Sequence, residues 1–300
     1  MSKNHKDLDD PAKISSSPAF GWFPPHMLRA FKRLEKEIKN VELVVEVRDA
    51  RLPISSSNPD LVELLAGRPR IILLNKCDLV SPEDQLNWQD YFSRKNINAI
   101  YFDSQNTKNF DPIFKTIEKA LRPFYAKYKT RSIRAPLPRI LIAGLPNVGK
   151  STLINRLVKK KRQQAEARPG VTKSVDWIML RDKYLLMDSP GILLPRLERE
   201  IDSFKLGWIS TIRDDVIGDI LLATELISYL ISEVKLEIED RYHVKLSPDI
   251  QPLEHLEIIG KSRGFLKSGA EVDLSRTAAA VLGDYRKGIL GKFVLEKLPR

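Results

Sequence analysis

Cysteine is nearly absent from this chain: Cys77 is the single thiol among 300 residues. One cysteine cannot form an internal disulfide, so we expect folding in a reducing compartment. Long apolar runs are missing as well, since residues 217–231 are interrupted by Asp219 and Glu225 and fall short of the roughly 18 residues of a membrane span. We therefore expect no transmembrane helix, and a peripheral membrane association stays open.

Acidic residues are scarce in one part of the chain. Residues 1–194 hold 34 Lys and Arg against 21 Asp and Glu, whereas residues 195–300 hold 16 against 18. Residues 122–183 alone hold 16 basic and 3 acidic side chains. So concentrated a positive charge suits a polyphosphate or RNA partner, and a solvated basic surface without a ligand is the alternative. The 42% hydrophobic content and the length predict a folded protein of two domains.

The N-terminal residues 1–20 are predicted to be a flexible tail. Asp7, Asp9 and Asp10 argue against an acid-poor transit peptide, and no apolar signal core follows them. These residues leave the targeting address open.

Apolar runs alternate with helical spacing over residues 21–194, which predicts a parallel sheet covered by helices on both faces. Predicted strands lie at residues 41–47, 71–74, 99–102, 139–143 and 184–187, with predicted helices at 27–39, 59–65 and 112–128. A basic linker is predicted over 130–138. After Gly191 the spacing is helical at 216–233, 252–261 and 274–286, so residues 195–300 are predicted to form a separate all-helical domain.

The segment after the strand at 139–143 matches the phosphate-loop pattern G-x-x-x-x-G-K-[ST]. Its glycines let backbone amides wrap phosphates, Lys150 reaches the outer phosphates during catalysis, and the Ser151 hydroxyl holds magnesium. A chance match in a glycine turn is the alternative. The predicted nucleotide contacts here are Gly144, Asn147, Val148, Gly149, Lys150, Ser151 and Thr152.

Two further segments suit the metal and the γ-phosphate. Asp188-Ser-Pro-Gly191 follows an apolar strand, so the Asp188 carboxylate is predicted in the magnesium shell and the Gly191 amide at the γ-phosphate. Thr172 is predicted to add a second hydroxyl to magnesium and to act as the switch threonine. An ordinary turn at residues 188–191 and a loop threonine at position 172 are the alternatives.

Asn75-Lys76-Cys77-Asp78 fits the N-K-x-D pattern that selects guanine. The Asp78 carboxylate accepts two hydrogen bonds from the guanine edge, whereas adenine would leave it unpaired. Asn75 and Lys76 brace this loop, and Ser104 is predicted in the loop that closes over the base. Because this base loop precedes the phosphate loop, the domain is predicted to be circularly permuted, with the original termini joined at 130–138.

The chain resembles the circularly permuted ribosome-assembly GTPases of the YlqF/RbgA family, whose organellar members are mitochondrial ribosome-associated GTPases. Beyond the nucleotide motifs, the likeness includes Gly21-Trp-Phe-Pro-Pro-His26-Met27, the stretch from Asp49-Ala-Arg-Leu-Pro53 to Pro59, and Gly288-Ile-Leu-Gly291. The resemblance implies a permuted α/β P-loop GTPase domain, a helical domain that contacts ribosomal RNA, and action late in assembly of the large ribosomal subunit.

The resemblance also implies catalytic details. Ile192 stands where Ras-type GTPases place a water-orienting glutamine, and the family's substitute histidine maps onto His26; from the residues alone, a packed or surface histidine is equally consistent. Asn147 resembles the asparagine that holds potassium in potassium-stimulated relatives, and a turn-forming asparagine is the alternative.

We expect a monomeric GTPase that binds GTP and GDP, hydrolyses GTP to GDP and phosphate, and uses hydrolysis to time release from the large subunit. The expected location is the mitochondrial matrix, with the cytoplasm as the alternative. One competing hypothesis is an RNA-binding placeholder for which hydrolysis has no importance. The other is a signalling GTPase with a protein effector.

Overall fold

The computed structural model describes residues 38–57, 67–162, 177–188 and 200–299. These residues fall into two compact units. The first holds the described residues up to 77, those of 82–188, and 296–299; the second holds 78–81 and 200–295. The tail at 1–20, the helix at 59–65 and nearly all of the helix at 27–39 lie outside the described residues.

Six strands of the described residues form one sheet in the first unit, in the order β3-β2-β1-β4-β6-β5. In chain order they are β1 (Leu43–Asp49), β2 (Arg70–Asn75), β3 (Asn98–Tyr101), β4 (Arg139–Ala143), β5 (Ile178–Leu180) and β6 (Tyr184–Asp188). All pairs are parallel except β5 with β6. At the centre, Val45 pairs with Ile71 on one side and Ile142 on the other, and all three are buried. The carboxyl ends of five strands therefore meet at one edge.

Four helices of the described residues accompany this sheet. They are α1 (Pro82–Arg94), α2 (Asp111–Ala120), α3 (Arg122–Lys129) and α4 (Lys150–Arg162). Their buried side chains are apolar and spaced three or four residues apart, such as Trp88 and Phe92 on α1 or Ile113 and Ile117 on α2. One apolar face of each of these two helices is thus buried, as the periodicity of an α-helix requires.

The prediction of one helix over 112–128 is wrong, because the chain breaks at Leu121 into α2 and α3. Pro123 lies in the first turn of α3. Proline has no backbone N–H and its ring clashes with the carbonyl four residues earlier, so it begins a helix rather than continuing one. Helix α1 and strand β5 were not predicted, since α1 is mostly polar and β5 has only three residues.

The second unit is helical. Its helices are α5 (Glu200–Trp208), α6 (Asp214–Ile217), α7 (Asp219–Tyr242), α8 (Pro252–Ser262) and α9 (Leu274–Arg286). The predictions for 252–261 and 274–286 are confirmed by α8 and α9. Helix α7 runs further than the predicted 216–233, passing through non-helical backbone at Val234. Although α7 has 24 residues, no helix within the described ranges is long and apolar enough to cross a bilayer.

The core of the second unit packs α7 against α8, α9 and α5. Trp208 is fully buried, and its indole N–H donates to the carbonyl oxygen of Leu222 at 3.0 Å. Arg286 of α9 donates to the Asp214 carboxylate at 2.6 and 2.8 Å and to the carbonyl oxygen of Gly207 at 2.8 Å. The last turn of α9 is thereby fixed to α6 and to the end of α5.

Candidate functional site

The predicted site residues that the structure describes lie at the carboxyl edge of the sheet. Strand β1 ends at Asp49, β2 at Asn75 and β6 at Asp188, while β4 leads directly into the predicted phosphate loop. Ser104 follows β3 at the same edge and is buried. Ligands of open α/β sheets bind at this edge, where neighbouring loops diverge.

Two positions of the phosphate loop require glycine, because neighbouring atoms leave no room there for a Cβ atom. Gly144 has φ +147°, and a Cβ there would lie 2.2 Å from the carbonyl oxygen of Val47. Gly149 has φ +103°, and a Cβ there would lie 2.0 Å from the Asn75 side-chain nitrogen. Asn147 is exposed and adopts a left-handed φ of 59°. The loop thus needs glycine at 144 and 149 for steric reasons as well as for phosphate access.

Lys150 begins α4 and is only 7% exposed. Its ammonium donates to the carbonyl oxygen of Leu145, in its own loop, at 2.8 Å. A phosphate oxygen in place of that carbonyl would carry the opposite charge and would therefore make a stronger hydrogen bond. Ser151 and Thr152 lie in the same first turn with exposed side chains, so their hydroxyls are accessible at the helix N-terminus.

Asn75 joins the base loop to two other loops. It is fully buried; its amide nitrogen donates to the carbonyl oxygen of Val148 at 2.6 Å, and its oxygen accepts from the Ser104 N–H at 2.8 Å. One side chain therefore brings together three loops that the sequence predicted in a single nucleotide site. Asp78 lies on the 3₁₀ turn Cys77–Leu79 that follows β2, and its side chain is exposed.

Lys76 is held by a buried carboxylate whose role the sequence did not reveal. Lys76 adopts φ 61°, and its ammonium lies 2.9 Å from an oxygen of Asp49. Asp49 also accepts from the guanidinium of Arg51 at 2.9 and 3.0 Å. Burial raises the pKa of Asp49, but Arg51 and Lys76 outweigh burial and hold that pKa well below its usual range. In the sequence, the available signal for this ion pair was a pair of charged residues at the end of an apolar strand.

A second buried ion pair lies beside the first. The guanidinium of Arg48 donates to both oxygens of Glu46 at 2.9 Å and to the carbonyl oxygen of Pro53 at 2.7 Å. Ser57 donates to the same carboxylate at 2.7 Å. Burial raises the pKa of Glu46, yet Arg48 and the hydrogen bonds leave it lowered. The segment after β1 is thereby tied back onto the strand.

Arg156 of α4 is a second residue that sequence reasoning missed. Its guanidinium donates to the carbonyl oxygens of Ser104 at 2.8 Å, Thr107 at 2.7 Å and Gln105. It also lies 5.3 Å from the centre of the Phe110 ring. The helix that follows the phosphate loop thus holds the loop predicted to close over the base. The available signal was a cation six residues after Lys150, on the helix that begins at the phosphate loop.

Several predicted residues cannot be placed. His26, Thr172 and Gly191 lie outside the described residues, as does Ile192, and of Asp188 only the backbone in β6 is described. Across the described ranges, no group of three or more His, Cys, Asp or Glu side chains is arranged to hold a metal ion.

Comparison with known proteins finds relatives that are named as GTPases of ribosome biogenesis or as ribosome-associated GTPases. Residues 139–248 match the family model described as 50S ribosome-binding GTPase. Ribosome biogenesis GTPase A of Priestia megaterium is 35% identical over 276 residues, which are 92% of this chain and 96% of that protein. Mitochondrial ribosome-associated GTPase 1 of Mus musculus is 32% identical over 69% of this chain and 65% of its own length.

Solved structures agree with these sequences. GDP-bound YlqF matches with a TM-score of 0.65 and 25% identity, over 88% of this chain and 98% of that one. GNP-bound YlqF from T. maritima matches with a TM-score of 0.60. The predicted α/β P-loop fold and its permuted order are confirmed. The chain belongs to the YlqF/RbgA family of circularly permuted GTPases, and it is a GTP hydrolase that binds GTP and GDP.

Proposed function

We propose that this GTPase acts in late assembly of the large ribosomal subunit and that hydrolysis of GTP to GDP and phosphate times its release. The observation that carries the nucleotide part is the Asn75 side chain, which joins the base loop to Val148 and Ser104. The relatives' names support the ribosomal part, since they include ribosome biogenesis and mitochondrial ribosome-associated GTPases.

In this proposal the nucleotide lies along the carboxyl edge of the sheet. Lys150 and the amides from Gly144 to Thr152 bind the phosphates, Asp78 reads guanine, and Ser104 lies beside the base. The family uses magnesium, and the proposed ligands are Ser151, Thr172 and Asp188, with the Gly191 amide at the γ-phosphate. Magnesium would neutralise charge that develops on the phosphate oxygens during hydrolysis.

Potassium is proposed as a second cation, next to Asn147. The exposed, left-handed position of Asn147 in the phosphate loop supports this proposal. A monovalent cation there would supply positive charge near the phosphates, as an arginine finger does in other GTPases.

His26 is proposed to orient the attacking water, because Ile192 cannot do so. We expect His26→Ala to keep its GTP affinity and to lose about a hundredfold in subunit-stimulated turnover, the usual size of a positioning or general-base effect. Single-turnover hydrolysis on large subunits measures the loss, and the melting temperature identifies a packing defect instead. Turnover equal to the parent protein would remove His26 from the mechanism.

Stimulation by the subunit distinguishes the proposed switch from a placeholder. We expect purified large subunits to accelerate GTP hydrolysis by the full chain. Lys150→Ala should show neither basal nor stimulated hydrolysis, because it removes the charge at the outer phosphates. Hydrolysis that subunits leave unchanged would favour the placeholder, and failure to co-sediment with subunits would favour a signalling GTPase.

The compartment and the second domain are also proposals. The mitochondrial relative in Mus musculus supports action in the mitochondrial matrix, whereas the relative in Priestia megaterium is bacterial. The domains are proposed as 21–194 for the GTPase and 195–300 for a helical part that contacts ribosomal RNA. The protein is proposed to work as a monomer.

A further inference from the structure

Helix α3 and the turn after it, residues 122–134, form a surface that we call the α3 surface. No residue of α3 is buried by the described chain. The Phe124 ring packs against Tyr125 and Tyr128, with ring centres 5.2 and 5.0 Å apart. Tyr125 is 38% exposed and Ile133 is 53% exposed. The aromatic cluster is therefore open to a partner.

Local hydrogen bonds fix the shape of this surface. The Ile133 N–H donates to the carbonyl oxygen of Tyr128 at 3.2 Å, and the Thr130 hydroxyl donates to that of Lys127 at 3.0 Å. Ser132 adopts a left-handed φ of 53°, which turns the chain back toward the helix. The rings and the turn thus form one ordered face.

The α3 surface is strongly basic. Its exposed cations are Arg122, Lys127, Lys129, Arg131 and Arg134. None of them forms an ion pair with a carboxylate of the described residues. No acidic residue occurs between Glu118 and Glu166, and Glu118 itself lies 3.9 Å from the ammonium of Lys183. Within the described part of the chain, the positive charge of this face is therefore left without a paired carboxylate.

We propose that the α3 surface binds RNA, with Tyr125 stacked on an unpaired base and the neighbouring cations on the phosphates. This inference rests on the proposed function in taking the large ribosomal subunit as the source of the RNA. RNA offers both chemistries that the face presents, since its backbone is anionic and its unpaired bases stack on aromatic rings. Phosphate contacts supply affinity and stacking holds the strand in place.

Two other occupants fit the face less well. A helix that lies in a membrane interface buries a broad apolar face, whereas α3 has eight residues and offers three rings. A protein partner would need an acidic surface that matches the positions of all five cations. Both occupants are outcomes of the test below.

The first part of the test measures the contribution of charge by comparing two double-lysine variants of the full chain. Lys127→Gln with Lys129→Gln is the test variant, and Lys95→Gln with Lys115→Gln removes the same charge from exposed sites elsewhere in the first unit. Binding to a labelled single-stranded RNA of mixed sequence is titrated at several salt concentrations. We expect the test pair to reduce the salt slope by about 1.4, since each phosphate contact on a single strand contributes about 0.7. The control pair should keep the parent slope.

The stacking arm uses Tyr125→Ala. We expect it to weaken RNA binding on the order of tenfold at constant salt slope, with unchanged GTP affinity as proof of folding. RNA affinities equal to the parent's in both variants would overturn the proposal. Loss of binding to phosphatidylglycerol vesicles with RNA binding intact would overturn it in favour of a membrane. Loss of subunit binding alone would overturn it in favour of a ribosomal protein.

Purified large subunits separate this proposal from the proposed function. If the parent chain and all variants bind subunits equally well, the proposal that the α3 surface binds RNA is overturned and the proposed function stands. If the parent chain does not bind subunits but the variants weaken its binding to free RNA, the proposed function is overturned and the α3 surface stands as an RNA-binding site.

Discussion

Asp78→Asn is expected to lower the affinity for GTP by about a thousandfold, the effect of two hydrogen bonds to a charged acceptor, and to raise the affinity for xanthosine triphosphate. In the proposed site the carboxylate accepts hydrogen bonds from the N1–H and the 2-amino group of guanine. An asparagine amide would direct a donor at the 2-amino group, which is itself a donor. Xanthine carries a carbonyl oxygen at that position, so the amide pairs with it.

Fluorescent GTP and xanthosine triphosphate analogues, titrated against both proteins, measure this exchange of specificity. Asp90→Asn is a matched control, because it makes the same chemical change at an exposed carboxylate of α1 that is paired with Arg94. GTP affinity that stays at the parent value in Asp78→Asn would show that another group reads the base.

The sequence was sufficient where a local pattern determines the structure. Strand β4 was predicted with its true limits, since an apolar run of four residues after Arg139 ends at a glycine loop. The phosphate loop and the base loop were also recognised, because their chemistry requires fixed residue types at short spacing. The parallel sheet then placed both loops at one edge, where Asn75 joins them.

The sequence was insufficient where function depends on contacts between distant segments. Arg156 lies 52 residues after Ser104, and Lys76 lies 27 residues after Asp49, so periodicity and spacing carry no sign of either contact. The local sequence showed only charges at the ends of two apolar strands and a cation within the helix after the phosphate loop. The break between α2 and α3 was missed for another reason: apolar spacing continues through Leu121 although Pro123 cannot continue the helix.

Asp49→Asn is expected to reduce the free energy of unfolding by about 3–5 kcal/mol, the usual cost of breaking a buried ion pair. Asp49 is fully buried, and its side chain accepts from Arg51 and contacts Lys76. Removing its charge leaves a buried guanidinium without its counter-ion and releases Lys76 from its strained backbone position. Urea unfolding at pH 7 measures the loss. Because Lys76 is proposed to brace the base loop, weaker GTP binding by the folded variant is expected as well.

The pH dependence of the difference in unfolding free energy between the parent and Asp49→Asn identifies the Asp49 charge as the cause of that difference. The pKa of Asp49 is lowered in the folded protein, so its stabilising contribution is fully present above the unfolded value of about 3.9 and is lost as the pH falls toward the folded value. The difference in unfolding free energy between the parent and Asp49→Asn should therefore stay constant from pH 7 to about pH 5 and narrow below pH 4. Asp90→Asn, at an exposed ion pair, should cost less than about 1 kcal/mol at neutral pH. A difference that persists unchanged at pH 3 would mean that the asparagine disturbs packing and that the ion pair with Arg51 contributes no stability.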